Sequence, residues 1–164
     1  MMAGLLNLNA FAQETAATSD EITEEELVKF AMMEDSVMAF YESKNAELVD
    51  MIKNNDDIDG AARYNEIKAA WGNEEKMAEA NITPEEHAAY QEILDFTESL
   101  ANEVRTLKTD LIMDKEFLGA ATYNKINKAM KEDPAVKERV DTKIAELKDQ
   151  RANDDTELAD GSGE

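Results

Sequence analysis

The sequence predicts an all-α fold: a duplicated unit of one long and one short helix, forming an antiparallel helical bundle. Three observations carry this. Apolar residues recur at three-and-four spacing over two long stretches. Both stretches open on the same helix-start pattern, Ile22-Thr23-Glu24-Glu25-Glu26 and Ile82-Thr83-Pro84-Glu85-Glu86. Each is followed by a copy of one octapeptide, Gly60-Ala61-Ala62-Arg63-Tyr64-Asn65-Glu66-Ile67 and Gly119-Ala120-Ala121-Thr122-Tyr123-Asn124-Lys125-Ile126.

The amino terminus, Met1 to Gln13, is uncharged and apolar and ends in Ala10-Phe11-Ala12. This pattern is that of the back half of a secretory signal peptide, so residues 1–12 are expected to be its remnant, cleaved near Ala12. Export to the periplasm or outside follows, and a cytoplasmic location if the segment is not a signal. Residues 13–22 are small, polar and acidic, a composition that reads as a flexible leader. A single helical domain is expected over 23–150, built from repeats at 22–80 and 82–148.

In the first repeat, Thr23 and Glu26 form a capping box, in which the hydroxyl takes a third-residue amide and the glutamate reaches back. Leu27, Phe30, Val37, Tyr41, Leu48, Met51 and Ile52 make the apolar stripe of a helix running to about Asn54, with Glu34 and Lys44 interrupting it. Asn54 to Asp59 breaks it. Gly60, Tyr64, Ile67 and Trp71 then share one face of a short helix, which Gly72-Asn73 ends; another short helical piece follows to Ala80. In the second repeat, Thr83 caps, Pro84 suits the first helical position and Glu86 closes the box. Tyr90, Ile93, Thr97, Leu100, Val104, Leu107 and Leu111 hold heptad spacing to about Met113. Asp114 to Leu118 is the second junction, Gly119, Tyr123, Ile126 and Met130 the second short face. Asp133-Pro134 starts a last helix through Val136, Val140, Ile144 and Leu147. The residues 151–164 are expected to be a disordered acidic tail.

Matching blocks align Phe30 with Tyr90 and, after small gaps, Phe40, Glu42 and Ser43 with Phe96, Glu98 and Ser99. So many blocks in one order indicate an internal duplication. These residues also resemble a bacterial family of exported helical proteins, catalogued as domain of unknown function 4168. The resemblance rests on Leu27-Val28-Lys29-Phe30-Ala31, on Tyr123-Asn124-Lys125-Ile126 and on Asp133-Pro134 before a hydrophobic helix, and covers roughly residues 20–148. It implies a helical fold and a signal peptide; it implies no activity. The chain departs from the family pattern in carrying two Tyr-Asn-x-Ile copies and in having Gly72-Asn73 where Asp-Pro would follow the first.

Charge narrows the function classes. With 38 acidic against 17 basic residues, a net charge of −21, the chain is unsuited to neutralising phosphates, so no nucleic-acid partner is expected. No stretch is long and apolar enough for a membrane span. The absence of cysteine removes disulfides and thiolate chemistry. His87 is the only histidine; it falls in the first turn of a helix, where a solvated position is expected, and it cannot supply the paired Glu-x-x-His motif of a di-metal bundle. Neither an enzyme nor a cofactor is expected, and the chain is left open to a protein partner.

Two constellations stand out. Gly60, Tyr64, Asn65 and Ile67, with Gly119, Tyr123, Asn124 and Ile126, read as an architectural joint. Here glycine is expected to permit close helix approach, tyrosine to pack under the long helix, and asparagine to bond a neighbouring helix end or backbone carbonyl. The alternative constellation is an EF-hand-like calcium loop over residues 55–66, with Asn55, Asp57, Asp59 and Glu66 as oxygen ligands and Gly60 at the turn. Against it, Asn55 stands where aspartate is usual, Ala62 is small, and the second copy has Leu118 and Lys125 at corresponding positions. The function read from the sequence is therefore a non-catalytic exported helical protein, structural or interacting, with an acidic calcium-binding module as the alternative.

Overall fold

The structure, a computed structural model, describes residues 22–160. The expected signal segment, the leader before Ile22 and the last four residues lie outside this range. Every element among the described residues is a helix: α1 (Glu24–Lys53), α2 (Gly60–Ala70), α3 (Glu74–Glu79), α4 (Pro84–Met113), α5 (Ala120–Glu132) and α6 (Pro134–Asp160).

Both long helices begin as their sequences dictate. Thr23 and Thr83 each accept from the amide three residues on, and Glu26 and Glu86 each accept from the threonine amide in return. The two helices are equal at 30 residues, and their caps correspond at both ends, Thr23 with Thr83 and Asn54 with Asp114. No gap is needed within them, so Phe40 corresponds to Leu100 rather than Phe96. Phe96 instead lies under the Lys44 ammonium, 5.8 Å from the ring centre.

α1 and α4 run antiparallel, since Glu34 pairs with Lys108 and Lys44 sits over Phe96. α6 lies along α1 in the same direction, joined by Glu24 with Arg139, Asp35 with Arg151 and Glu42 with Lys148. α1 thus packs against both other long helices. Tyr41, placed in its apolar stripe by spacing, is half exposed at 50%; Thr97 on α4 is exposed and bonds only its own helix, at the Ile93 carbonyl. The last helix does not stop near Arg151, where a disordered tail was expected; it continues to Asp160. The physical reason lies beyond the expected boundary: residues 152–160 contain neither glycine nor proline, and the first helix breaker is Gly161.

The core is in two parts. Leu27, Phe30, Met33, Leu118, Ile126 and Val140 form one; Ile58, Ile67, Ala89, Tyr90 and Ile93 form the other. Each joins the start of one repeat's long helix to the short helix of the other repeat. The packing is crossed, and neither repeat buries its own apolar face alone. The symmetry breaks after the short helices, where α6 has 27 residues and α3 has 6. The α4 residues equivalent to Glu24, Leu27, Asp35 and Glu42 on the α6-facing side of α1 are Pro84, His87, Asp95 and Asn102, all exposed. That face is built for water, so it needs no second long helix.

Candidate functional site

The repeated octapeptide forms two joints, one at each end of the α1/α4 pair. Ile67 and Ile126 are fully buried. Tyr123 stacks on Phe30, with ring centres 5.7 Å apart, and Tyr64 meets Tyr90 at 5.4 Å. The two contacts are equivalents under the duplication, and each crosses from one repeat to the other.

The glycines serve a different purpose from the close approach expected of them. Gly60 has φ +70° and a Cβ there would meet nothing within 4 Å; Gly119 has φ +79° and its nearest neighbour would be the Lys115 Cα at 3.9 Å. Both sit in the left-handed region at a helix entrance, where an L side chain is disfavoured. The asparagines also differ from expectation. Asn65 and Asn124 are exposed, and among the described residues their side chains bond neither a neighbouring helix end nor a backbone carbonyl.

Each joint contains an ion pair that sequence spacing did not indicate. Lys125 donates to Glu26, the glutamate of the first capping box. At the other end Arg63 donates through Nε and Nη2 to both oxygens of Glu86, with Nη2 2.7 Å from Oε2, through Nη1 to Glu66 at 2.9 Å, and through Nη2 to the Ala80 carbonyl at 3.1 Å. The bond from Lys125 lowers the Glu26 pKa, and the bond from Arg63 lowers that of Glu86, the only buried polar residue among those described. Arg63 is correspondingly raised, first by Glu86 and then by Glu66. The one available signal was the repeated capping glutamate, whose second oxygen the cap leaves free: Oε1 of Glu26 takes Lys125 and Oε1 of Glu86 takes Arg63.

Tyr90 is raised by burial first and then by the Tyr64 phenol beside it. Trp71 covers this cluster, 4.5 Å from the Tyr90 ring and 4.5 Å from that of His87. His87 is exposed, as its first-turn position implied, and one side of its ring rests on the indole.

Of the residues of the calcium alternative, Asn55 and Glu66 are engaged in other bonds. The Asn55 Oδ1 accepts from the amides of Asp57 and Ile58, both at 3.0 Å. In the second junction Asp114 Oδ1 accepts from Glu116 and Phe117 at 2.8 and 3.3 Å. Both side chains stand five residues before the glycine, so the same Asx turn leads into each joint. Asp59 precedes α2 without a side-chain capping bond, and Glu66 lies in the helix against Arg63. Among the described residues no three acidic or imidazole side chains gather as a cation site.

Shallow grooves lie beside the joints, one along α5 lined by Ile22, Asn124, Lys125 and Lys128, another lined by Arg63, Glu66 and Lys76. No described helix is long and apolar enough to cross a membrane. No family model matches the chain. No curated protein and no solved structure matches it either.

Proposed function

We propose that the chain is a non-catalytic, exported helical protein with a structural or protein-interaction role, located in the periplasm or envelope, or secreted, after cleavage near Ala12. The observation that supports this reading most is where the motif residues go: Tyr64, Tyr123, Arg63, Lys125, Glu26 and Glu86 all join one repeat to the other. A reactive site keeps such groups turned to a substrate, whereas here they tie helices. The apolar amino-terminal segment and the resemblance at Leu27–Ala31 and Tyr123–Ile126 to an exported family support the location.

Fractionation of the native cell with amino-terminal sequencing tests the location. A mature chain beginning at Gln13 or a near neighbour is expected outside the cytoplasm, and an intact Met1 inside it would remove the proposal. The role is tested by in-cell cross-linking from exposed positions on α4, such as Asp95 and Asn102; a discrete partner, or self-association, is the expected result. The calcium alternative requires Asn55 to release two amides and Glu66 to leave Arg63. Calorimetric titration with calcium therefore decides it: a micromolar binding heat lost in Asp59→Ala would replace the non-metal reading.

A further inference from the structure

The largest helix contacts, α1 with α4 and α1 with α6, both cross from the residues before Thr83 to those after it. Each core part crosses the same line. The two halves of the chain are therefore related as two subunits of a dimer, with one short connection between them. That connection is built as a turn. The amide of Ile82 donates to the Met77 carbonyl and that of Asn81 to Ala78, the paired bonds that end a helix on a left-handed residue. The left-handed residue is Asn81, at φ +50°, the only non-glycine with positive φ among those described.

Arg63 grips this turn from both sides. Its Nη2 reaches the carbonyls of Ala80 and Asn81, at 3.1 and 3.4 Å, and the Glu86 carboxylate just past the turn. Glu86 in turn accepts from the Thr83 amide. The equivalent residue in the second repeat is Thr122, where the chain has no such connection to hold.

We propose that the two halves are complementary surfaces that exchange between two copies of this chain when the turn opens, and that Arg63 and Asn81 form the latch that keeps them paired within one copy. In the exchanged dimer the first half of each copy lies on the second half of the other. Every helix contact between halves recurs, including Arg63 with Glu86; only the bonds that close the turn are lost. An exchange of this kind turns on the connection alone. Removing one bond from a charged donor to the turn is expected to raise the exchanged fraction about tenfold.

The test uses the full chain, which has no cysteine of its own. Glu34→Cys is placed on one chain and Lys108→Cys on another, at positions whose native side chains meet at 2.8 Å. The two are mixed in urea, refolded together at high protein concentration and treated with a short bismaleimide, with mass read by light scattering. In the Arg63→Ala background a cross-linked helical dimer is expected, about tenfold above the unmodified background. Asn81→Val, which opposes the left-handed turn but leaves Arg63 and Glu86 in place, is expected to do the same. Glu34→Cys mixed with Glu85→Cys, which do not face each other, gives the background of chance capture. A folded, monomeric Asn81→Val chain, cross-linking no more than that background, overturns the proposal whatever Arg63→Ala does.

Discussion

Arg63 and Glu86, 23 residues apart, join α2 to the first turn of α4 through two bonds of one guanidinium, as Lys125 joins α5 to Glu26 at the first turn of α1. The capping glutamate therefore does two jobs in each repeat: it returns to the threonine amide and it holds the other repeat. The Glu86 side chain is 12% exposed and Glu26 24%, and only Glu86 receives a forked donor. Glu86→Gln is expected to cost about 2 kcal/mol and Glu26→Gln about 1 kcal/mol. Urea unfolding checks this, with the midpoint shifted in that order and the slope unchanged; equal losses would show that the fork adds nothing.

Acid should act through the same two carboxylates. Both have pKa values lowered by their cationic partners, so their contribution is complete above the unfolded carboxylate value of about 4.3 and is lost as pH falls through the lower folded values. Unfolding midpoints followed downward from neutral pH, at high salt to screen the net charge of −21, should decline below that range. In a Glu26→Gln, Glu86→Gln chain the decline should be shallower. An unchanged pH profile in that chain would assign the acid sensitivity elsewhere.

Ile67 and Ile126 occupy equivalent and fully buried places in the two core parts. Ile67→Ala and Ile126→Ala are each expected to cost about 2 to 5 kcal/mol. Because the halves close on each other, either change should lower one cooperative transition. Two separate transitions in circular dichroism would mean that the core parts unfold independently.

Gly119→Ala and Gly60→Ala each place a Cβ in the left-handed region without a clash, so the cost is conformational, about 1 to 2 kcal/mol each. Asn65→Ala and Asn124→Ala, at exposed motif positions, are expected to change stability by less than about 0.5 kcal/mol. Thermal midpoints of the four variants separate motif positions that shape the backbone from those that merely recur.

The helices were legible because their signals are local. Thr23 with Glu26, and Thr83 with Pro84 and Glu86, set starts that depend on a few neighbouring residues, and the 3.6 period marked Leu27, Phe30, Tyr90 and Ile93 as core. The repeat was legible from the Tyr-Asn-x-Ile copies. Its register inside the long helices was not, because Phe40 with Phe96 offered a better letter match than Phe40 with Leu100, although burial follows position. The crossed pairing was hidden for a related reason: an apolar face tells how much must be covered, not which segment covers it. Asn55 left two readings open because an oxygen ahead of a glycine serves an Asx turn and a cation loop equally well in sequence; in the structure it accepts from the amides of Asp57 and Ile58. The end of α6 was missed because the acidic, polar composition after Arg151 was read as disorder, although no glycine or proline interrupts the chain before Gly161.

Crossed packing also orders events in time. When the ribosome has made the first repeat, Leu27, Phe30 and Met33 still lack Leu118, Ile126 and Val140, and Ile58 and Ile67 still lack Tyr90 and Ile93. Nothing in the first seventy or so residues can close a core until α4 begins to emerge, and the α1 side waits for α5 and α6. The two core parts thus become complete at different points of synthesis, one when the start of α4 has emerged and the other only after α5 and the start of α6.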